Sequence, residues 1–327
     1  MTAPQLSRSS RVLPSFVPRF GSPASLQVIV SMLFLGLAGL TLGLMALGSA
    51  TRVMNAGLSC PDWPLCFGSF VPKQQMNLQV FLEWFHRLVA STVGVCVLGL
   101  NGLVLVLRQR LPRWLPWATG LCFGLVVFQG ILGGLTVTQL LRFDIVTAHL
   151  ATGLLFFSSL VTIGTALMPY QGTGMVNYLP WASFTAVGLI YLQSILGALV
   201  ASRWAVHQCL GSASLCSVLY SHFIGVVPAA LSVLIVVVMA GRTAALHPLL
   251  RRLTQLAALL LGLQVGLGLS TLKFHLQIVV LTVAHQFIGA SLLGVVLAMS
   301  VIALRDRLQA KDLPTIHPST VAPSPLT

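Results

Sequence analysis

Four histidines stand inside strongly apolar stretches of this 327-residue chain: His86, His149, His222 and His285. They form two sets in one register, because His222 follows His86 by 136 residues and His285 follows His149 by 136. Imidazole in hydrocarbon is expensive and normally faces a bundle interior. Two imidazoles at one level on neighbouring helices are what a heme iron needs to be held from both sides. A dinuclear metal centre would want several carboxylates, and the chain has only Asp62, Glu83, Asp144, Asp306 and Asp312 as acids. Glu83 is the single glutamate, and it precedes His86 by three residues, so the two share a helix face. A carboxylate there can act as a base or stabilise developing positive charge. It can equally pair with an arginine such as Arg87. The other histidines, His207, His247, His275 and His317, fall in loops or the tail and are read as solvated.

Cysteines supply the next candidate chemistry. Cys60 and Cys66 lie in one inter-span loop, Cys209 and Cys216 in another. Each pair is open to two readings, a structural disulfide or a redox-active pair. Zinc is disfavoured because neither loop has a four-ligand spacing. Cys96 and Cys122 sit within apolar stretches and read as small buried hydrophobes.

The elements that position these residues follow from composition. Hydrophobic residues make up 56% of the chain and charged ones 7%, against about 25% charged in a soluble domain. Apolar stretches at 26–48, 80–107, 114–138, 144–168, 180–202, 217–241, 249–271 and 278–304 are each long enough to cross a bilayer as helix. With the amino terminus inside, twelve Lys and Arg fall on the inner side and five on the outer, as the positive-inside rule requires. Both cysteine loops then lie on the outer face, and so do Arg52, Arg142 and Arg203. The net charge of +13 is accounted for by this membrane bias and by anionic ligands, with no need for nucleic acid.

The chain repeats internally. Ala148-His149-x-x-x-Gly153 matches Ala284-His285-x-x-x-Gly289, and Gln129 with Gly133 matches Gln264 with Gly268; Gln193 and Gly197 form a related element. These glutamine–glycine elements read as packing devices. The expected architecture is an all-α integral membrane protein with eight transmembrane helices arranged as two pseudo-symmetric four-helix bundles. It divides into an inner tail 1–25, a first bundle 26–168, a linker 169–179, a second bundle 180–304 and an inner tail 305–327. The halves differ in one respect: Glu83 and Arg87 face Leu219 and Phe223 in the second copy. The first half is therefore expected to hold a site equipped for chemistry and the second a plainer electron-transfer site.

The run Gly48-Ser49-Ala50-Thr51-Arg52, followed by Gly57-Leu58-Ser59-Cys60-Pro61-Asp62-Trp63-Pro64-Leu65-Cys66, resembles the first outer loop of the heme A synthase family. Glu83-x-x-His86-Arg87, Ala148-His149, Ser221-His222 and Ala284-His285 resemble that family's histidine elements, and the resemblance runs from about Leu26 to Arg307. It implies oxidation of the C8 methyl group of heme O to a formyl group through successive hydroxylation, supplying heme A to cytochrome oxidase. It implies substrate heme O on His86 and His149, heme b as cofactor on His222 and His285, and Glu83 as the catalytic carboxylate. Arg52, Arg87, Arg142 and Arg203 are candidate contacts for propionates. Cys60 and Cys66 match a pair linked in the family to a redox or heme-transfer role, and Cys209 and Cys216 a pair taken as structural. Expected partners are heme O synthase, oxidase assembly factors and the lipid of a bacterial cytoplasmic membrane, with both termini cytoplasmic. Two rival functions use the same histidines: a non-catalytic diheme b-type electron carrier, and a heme transporter or chaperone.

Overall fold

A computed structural model describes residues 23–201, 213–274 and 277–311, with side chains omitted at 23–24, 213–216 and 311. Among the described residues, eight helices are long and apolar enough to span a membrane. They are α1 (Pro23–Val53), α2 (Leu78–Val106), α3 (Leu115–Thr138), α4 (Phe143–Leu167), α5 (Leu179–Ala201), α6 (Ala213–Arg242), α7 (Pro248–Lys273) and α8 (Val279–Lys311). Each matches one of the apolar stretches of the sequence. Local chemistry sets several starts. The Asn77 side chain caps α2 by accepting from Val80 N at 2.9 Å. Proline occupies the first turn of α3 and of α7, where a missing N–H does no harm.

Hydroxyls within the spans are satisfied by their own helices: Thr41, Thr165, Ser183 and Ser300 each donate to the carbonyl four residues back. Helices approach closely at two glycines. A Cβ at Gly164 would stand 2.7 Å from Leu35 of α1, and one at Gly294 would stand 2.7 Å from Phe157 of α4. Without a hydrophobic force between helices in lipid, such small-residue crossings are a main source of cohesion.

Helix contacts close into two rings. α1 meets α2, α2 meets α3, α3 meets α4, and α4 returns to α1. In the same way α5, α6, α7 and α8 form a closed circuit. Contacts of α8 with α1 and α4, and of α4 with α5, join the rings. α8 is accordingly the most interior helix, with 67% of its apolar stretch buried against 17–50% for the others.

The carboxyl end of α8 departs from expectation. Residues 305–311, which the sequence assigns to a tail, continue the helix and grip the segment between α4 and α5. Buried Asp306 accepts from Tyr170 Oη at 2.6 Å, Thr173 N at 3.0 Å and Gly174 N at 2.6 Å. Gln309 bonds Gly172 N and the Tyr170 carbonyl, and Arg305 donates to the Thr165 carbonyl. Gly172 is needed for this approach, since a Cβ there would stand 2.9 Å from Asp306. Burial and the neighbouring carboxylate push the Tyr170 hydroxyl above its ordinary pKa, so it remains a donor. His247 is also more than a solvated loop residue. Its Nδ1 accepts from Leu249 N to cap α7, and its ring lies 4.8 Å from that of Tyr170.

Candidate functional site

His86, His149, His222 and His285 lie in the first three turns of α2, α4, α6 and α8. At 1.5 Å per residue this places each about 9–14 Å from its helix start. Because those four helices all begin at the end where α1 finishes, the imidazoles share one level of the protein. Within each ring the two imidazoles come from the two even-numbered helices, His86 and His149 in the first ring and His222 and His285 in the second. These are the pairs expected from the repeat.

Each imidazole rests on a glycine of the preceding helix. A Cβ would stand 2.9 Å from His86 at Gly48, 3.6 Å from His149 at Gly133, 3.1 Å from His222 at Gly197 and 3.0 Å from His285 at Gly268. Glycine at these four places gives the rings room. One turn earlier on α3, α5 and α7 stands a glutamine, and on α1 stands Leu44. Gln129 donates to the His149 carbonyl at 2.8 Å. Gln193 reaches both the His222 carbonyl at 2.8 Å and His222 Nδ1 at 3.0 Å. Gln264 lies 3.4 Å from His285 Nε2. His149 Nδ1 and His285 Nδ1 are buried without a hydrogen-bond partner. Buried polar atoms rarely go unsatisfied. Facing imidazoles with orphaned ring nitrogens fit the donor set that a heme iron takes.

The first ring carries a structured lid. Residues 54–77 fold back over α2 and α3, with Cys60 and Cys66 joined in a disulfide and both buried. Glu83 is 4% exposed. Its Oε2 accepts from Cys60 N at 2.9 Å, and its Oε1 pairs with Arg87 at 2.7 Å. Arg87 also donates to the carbonyls of Asp62, Leu65 and Cys60. Both the pairing and the shared-face readings of Glu83 therefore hold together: it is salt-bridged, and it stands one turn before His86. The guanidinium of Arg87 is engaged with the lid rather than free for an anionic ligand. Asp62 ties the lid internally by accepting from Phe67 N at 2.6 Å and Gly68 N at 2.8 Å, two residues in the left-handed region. The Gly68 amide above all, then Phe67, holds this exposed carboxyl below its ordinary value. Trp63 lies on Gly134 of α3, and Leu141 of the α3–α4 turn packs on Gly57.

Other expected residues are placed as follows. Arg52, at the end of α1, donates to Gln286 Oε1 at 3.5 Å, one residue from His285. It thus reaches across from the first ring to the second. Arg142 pairs with Asp144 at 2.7 Å on an exposed turn. Arg203, Cys209, His207, His275, His317 and the Cys216 side chain lie outside the described residues. Sequence reasoning treated Gln193 and Gln264 as packing alone and did not single out Asp62, Trp63 or Gly48 as partners of the site. The signal was present in the Gln-x-x-x-Gly spacing, but the imidazole that each element touches comes from another helix.

Fold and site together define an eight-span integral membrane protein with two pairs of facing histidines, one pair beneath a disulfide-bonded lid. The chain belongs to the cytochrome oxidase assembly protein family (COX15-CtaA), which it matches over residues 31–297. It is similar to the heme A synthase of Shewanella oneidensis, 33% identical over 189 residues, covering 52% of this chain and 56% of that protein. It is similar to the heme A synthase of Caulobacter vibrioides, 28% identical over 319 residues, covering 80% of this chain and 92% of that protein. A shorter stretch of 118 residues is 31% identical to a protoheme IX farnesyltransferase of Halobacterium salinarum, covering 36% of this chain and 26% of that protein. The chain thus spans little more than half of the Shewanella relative and nearly all of the Caulobacter one.

Proposed function

We propose that this chain is a heme A synthase, oxidising the C8 methyl group of heme O to a formyl group and so supplying heme A to cytochrome oxidase. The observation that carries the reading is a buried carboxylate, Glu83, beside only one of two facing histidine pairs, in a family of cytochrome oxidase assembly proteins. Relatives named heme A synthase support the activity. The partial likeness to protoheme IX farnesyltransferase supports a heme O synthase as the neighbouring partner.

The two rings are two working units. His86 and His149 take the iron of substrate heme O. His222 and His285 would hold heme b, which would supply a redox centre. The bonds from Arg87 and Cys60 N hold the Glu83 carboxyl group in one orientation. Each of its oxygens has a further acceptor site, so it can stabilise positive charge on the reacting methyl carbon or take a proton from attacking water. The lid shuts bulk water away from this carboxylate, which strengthens its field. Arg52 stands at the same end, beside His285, and is the propionate contact; Arg142 is already paired with Asp144. The disulfide Cys60–Cys66 shapes the lid and, through Cys60 N, orients Glu83. The protein sits in the bacterial cytoplasmic membrane with both termini cytoplasmic, a placement the distribution of Lys and Arg supports.

The test is co-expression with a heme O synthase, followed by extraction and chromatography of the hemes. Heme A, or a hydroxylated precursor, is the expected product. Heme b alone, with heme O untouched, would replace this reading by a diheme electron carrier.

A further inference from the structure

The lid over the first ring carries apolar side chains that its own fold does not bury. From Trp63 to Leu82 the sequence has one charged residue, Lys73. Cys66 and Ser69 exchange both backbone hydrogen bonds, at 3.0 and 3.1 Å, and close a small hairpin. Its tip residues Phe67 and Gly68 are left-handed, and both of their amides are held by Asp62. The disulfide fastens the same hairpin to Cys60. On this fixed support Phe67 is 40% exposed, Val71 44% and Phe70, between them, 86%. A contiguous apolar patch of this kind, displayed by a tied-down loop, marks a surface that something else covers.

The adjoining helix face tells what that cover is. Phe81, Phe85 and Leu88 recur on α2 at i, i+4 and i+7 and are each 37–46% exposed, with Glu83 on the opposite, buried side. On a membrane span such an apolar stripe meets lipid. The rings of Phe81 and Phe85 stack at 5.4 Å, and the Trp84 ring lies 6.1 and 6.4 Å from them. Trp84 Nε1 donates to the Phe70 carbonyl at 2.7 Å. The lid hairpin is thereby pinned to the end of the lipid-facing stripe, and its exposed patch continues that stripe. A tryptophan with its ring on apolar surface and its N–H on a polar group suits the boundary between hydrocarbon and water. Exposed Lys73, with an apolar stem and a charged head, suits the phosphates of the same boundary.

We propose that Phe67, Phe70 and Val71 insert into the headgroup–acyl boundary of the bilayer, so that the lid is a cover anchored on phospholipid. The inference stands apart from the reaction proposed above and does not need it. One edge of the lid holds Glu83 through Cys60 N and Arg87 through the carbonyls of Asp62 and Leu65. The opposite edge rests on lipid. The membrane itself is therefore part of what keeps the cover over the first histidine pair in place.

The experiment uses the full chain in its own membrane, with Phe70 replaced by the photoreactive residue p-benzoylphenylalanine. After illumination the purified protein is weighed intact by mass spectrometry. An added phospholipid mass is the expected result. The same replacement at Phe81, on the lipid-facing stripe, sets the yield that lipid contact gives. An adduct with a second polypeptide at position 70 overturns the proposal in favour of a protein partner or a second copy. No adduct at position 70, with full yield at position 81, overturns it in favour of water. Phe70→Asp then tests the anchor, at an exposed position where folding is not at stake. In bilayer discs it should speed hydrogen exchange at the Phe67 and Gly68 amides about tenfold, because burial of the ring is lost, with exchange in α2 unchanged. Unchanged exchange at those two amides would show that Phe70 does not hold the lid, and would overturn the anchor even if lipid is labelled.

Discussion

The two rings of helices share a frame and differ in what surrounds it. In both, imidazoles from the even-numbered helices lie on glycines of the odd-numbered ones, at one depth. Around the first pair stand Glu83, Arg87 and the disulfide-bonded lid. Around the second pair the corresponding positions are Leu219 and Phe223, and polar contact to the rings comes from Gln193 and Gln264. The two rings thus share the placement of their imidazoles and differ in their polar groups. Charge and a cover go to one ring and neutral amides to the other. Charge beside an imidazole pair suits a reaction in which charge develops, while neutral amides add little field.

The sharpest way to break this comparison is Glu83→Ala. Loss of a positioned carboxylate that acts on a reacting group lowers turnover by about 10²–10⁴-fold. Heme A should fall by that order in extracts, while heme b on the second pair stays at the wild-type amount. A variant with full turnover and normal heme content would remove the chemical distinction between the rings.

A smaller effect is expected where the halves are tied together. Asp306→Ala leaves the amides of Thr173 and Gly174 and the hydroxyl of Tyr170 without their acceptor. Each buried group left unsatisfied costs about 1–3 kcal/mol. Thermal unfolding in detergent should move down, with the heme spectra of both rings unchanged because the site lies at the other end of the helices. A spectral change confined to one ring would show that the tie acts on the sites.

The smallest effect concerns pH at the lid. Backbone amides, Gly68 first, hold the Asp62 carboxyl below the ordinary carboxylate range, so the stabilisation it gives the lid is fully present above the ordinary value and is lost as pH falls through the lower folded value. Hydrogen exchange at the Phe67 and Gly68 amides should therefore stay slow at neutral pH and speed up only in strong acid. Asp62→Asn should abolish that acid transition, and an unchanged profile would remove Asp62 from the lid's support.

Much of this could be read along the chain, because its signals are local or periodic. Eight apolar stretches must become helices, since lipid offers the backbone no other partner. The spacing of 136 residues paired His86 with His222 and His149 with His285 as repeat copies, and two helices per ring then followed. The three-residue step from Glu83 to His86 is enough to put carboxylate and imidazole on one helix face.

What only the tertiary structure decided are contacts between parts of the chain that carry no shared pattern. That Arg87 grips the carbonyls of Asp62 and Leu65, that Trp63 finds Gly134, and that Arg52 reaches Gln286 depend on how the lid and two helix rings fold over one another. The same holds for Asp306, an acid in a segment read as tail, which becomes the buried acceptor that closes the linker between the halves. Which imidazoles have a glutamine amide within reach of the ring belongs here too. A glutamine four residues before a glycine looks alike on α3 and α5, and only the distance to the neighbouring helix decides whether its amide meets a ring or a backbone. Periodicity fixes which face a residue occupies, but packing across helices fixes what that face touches.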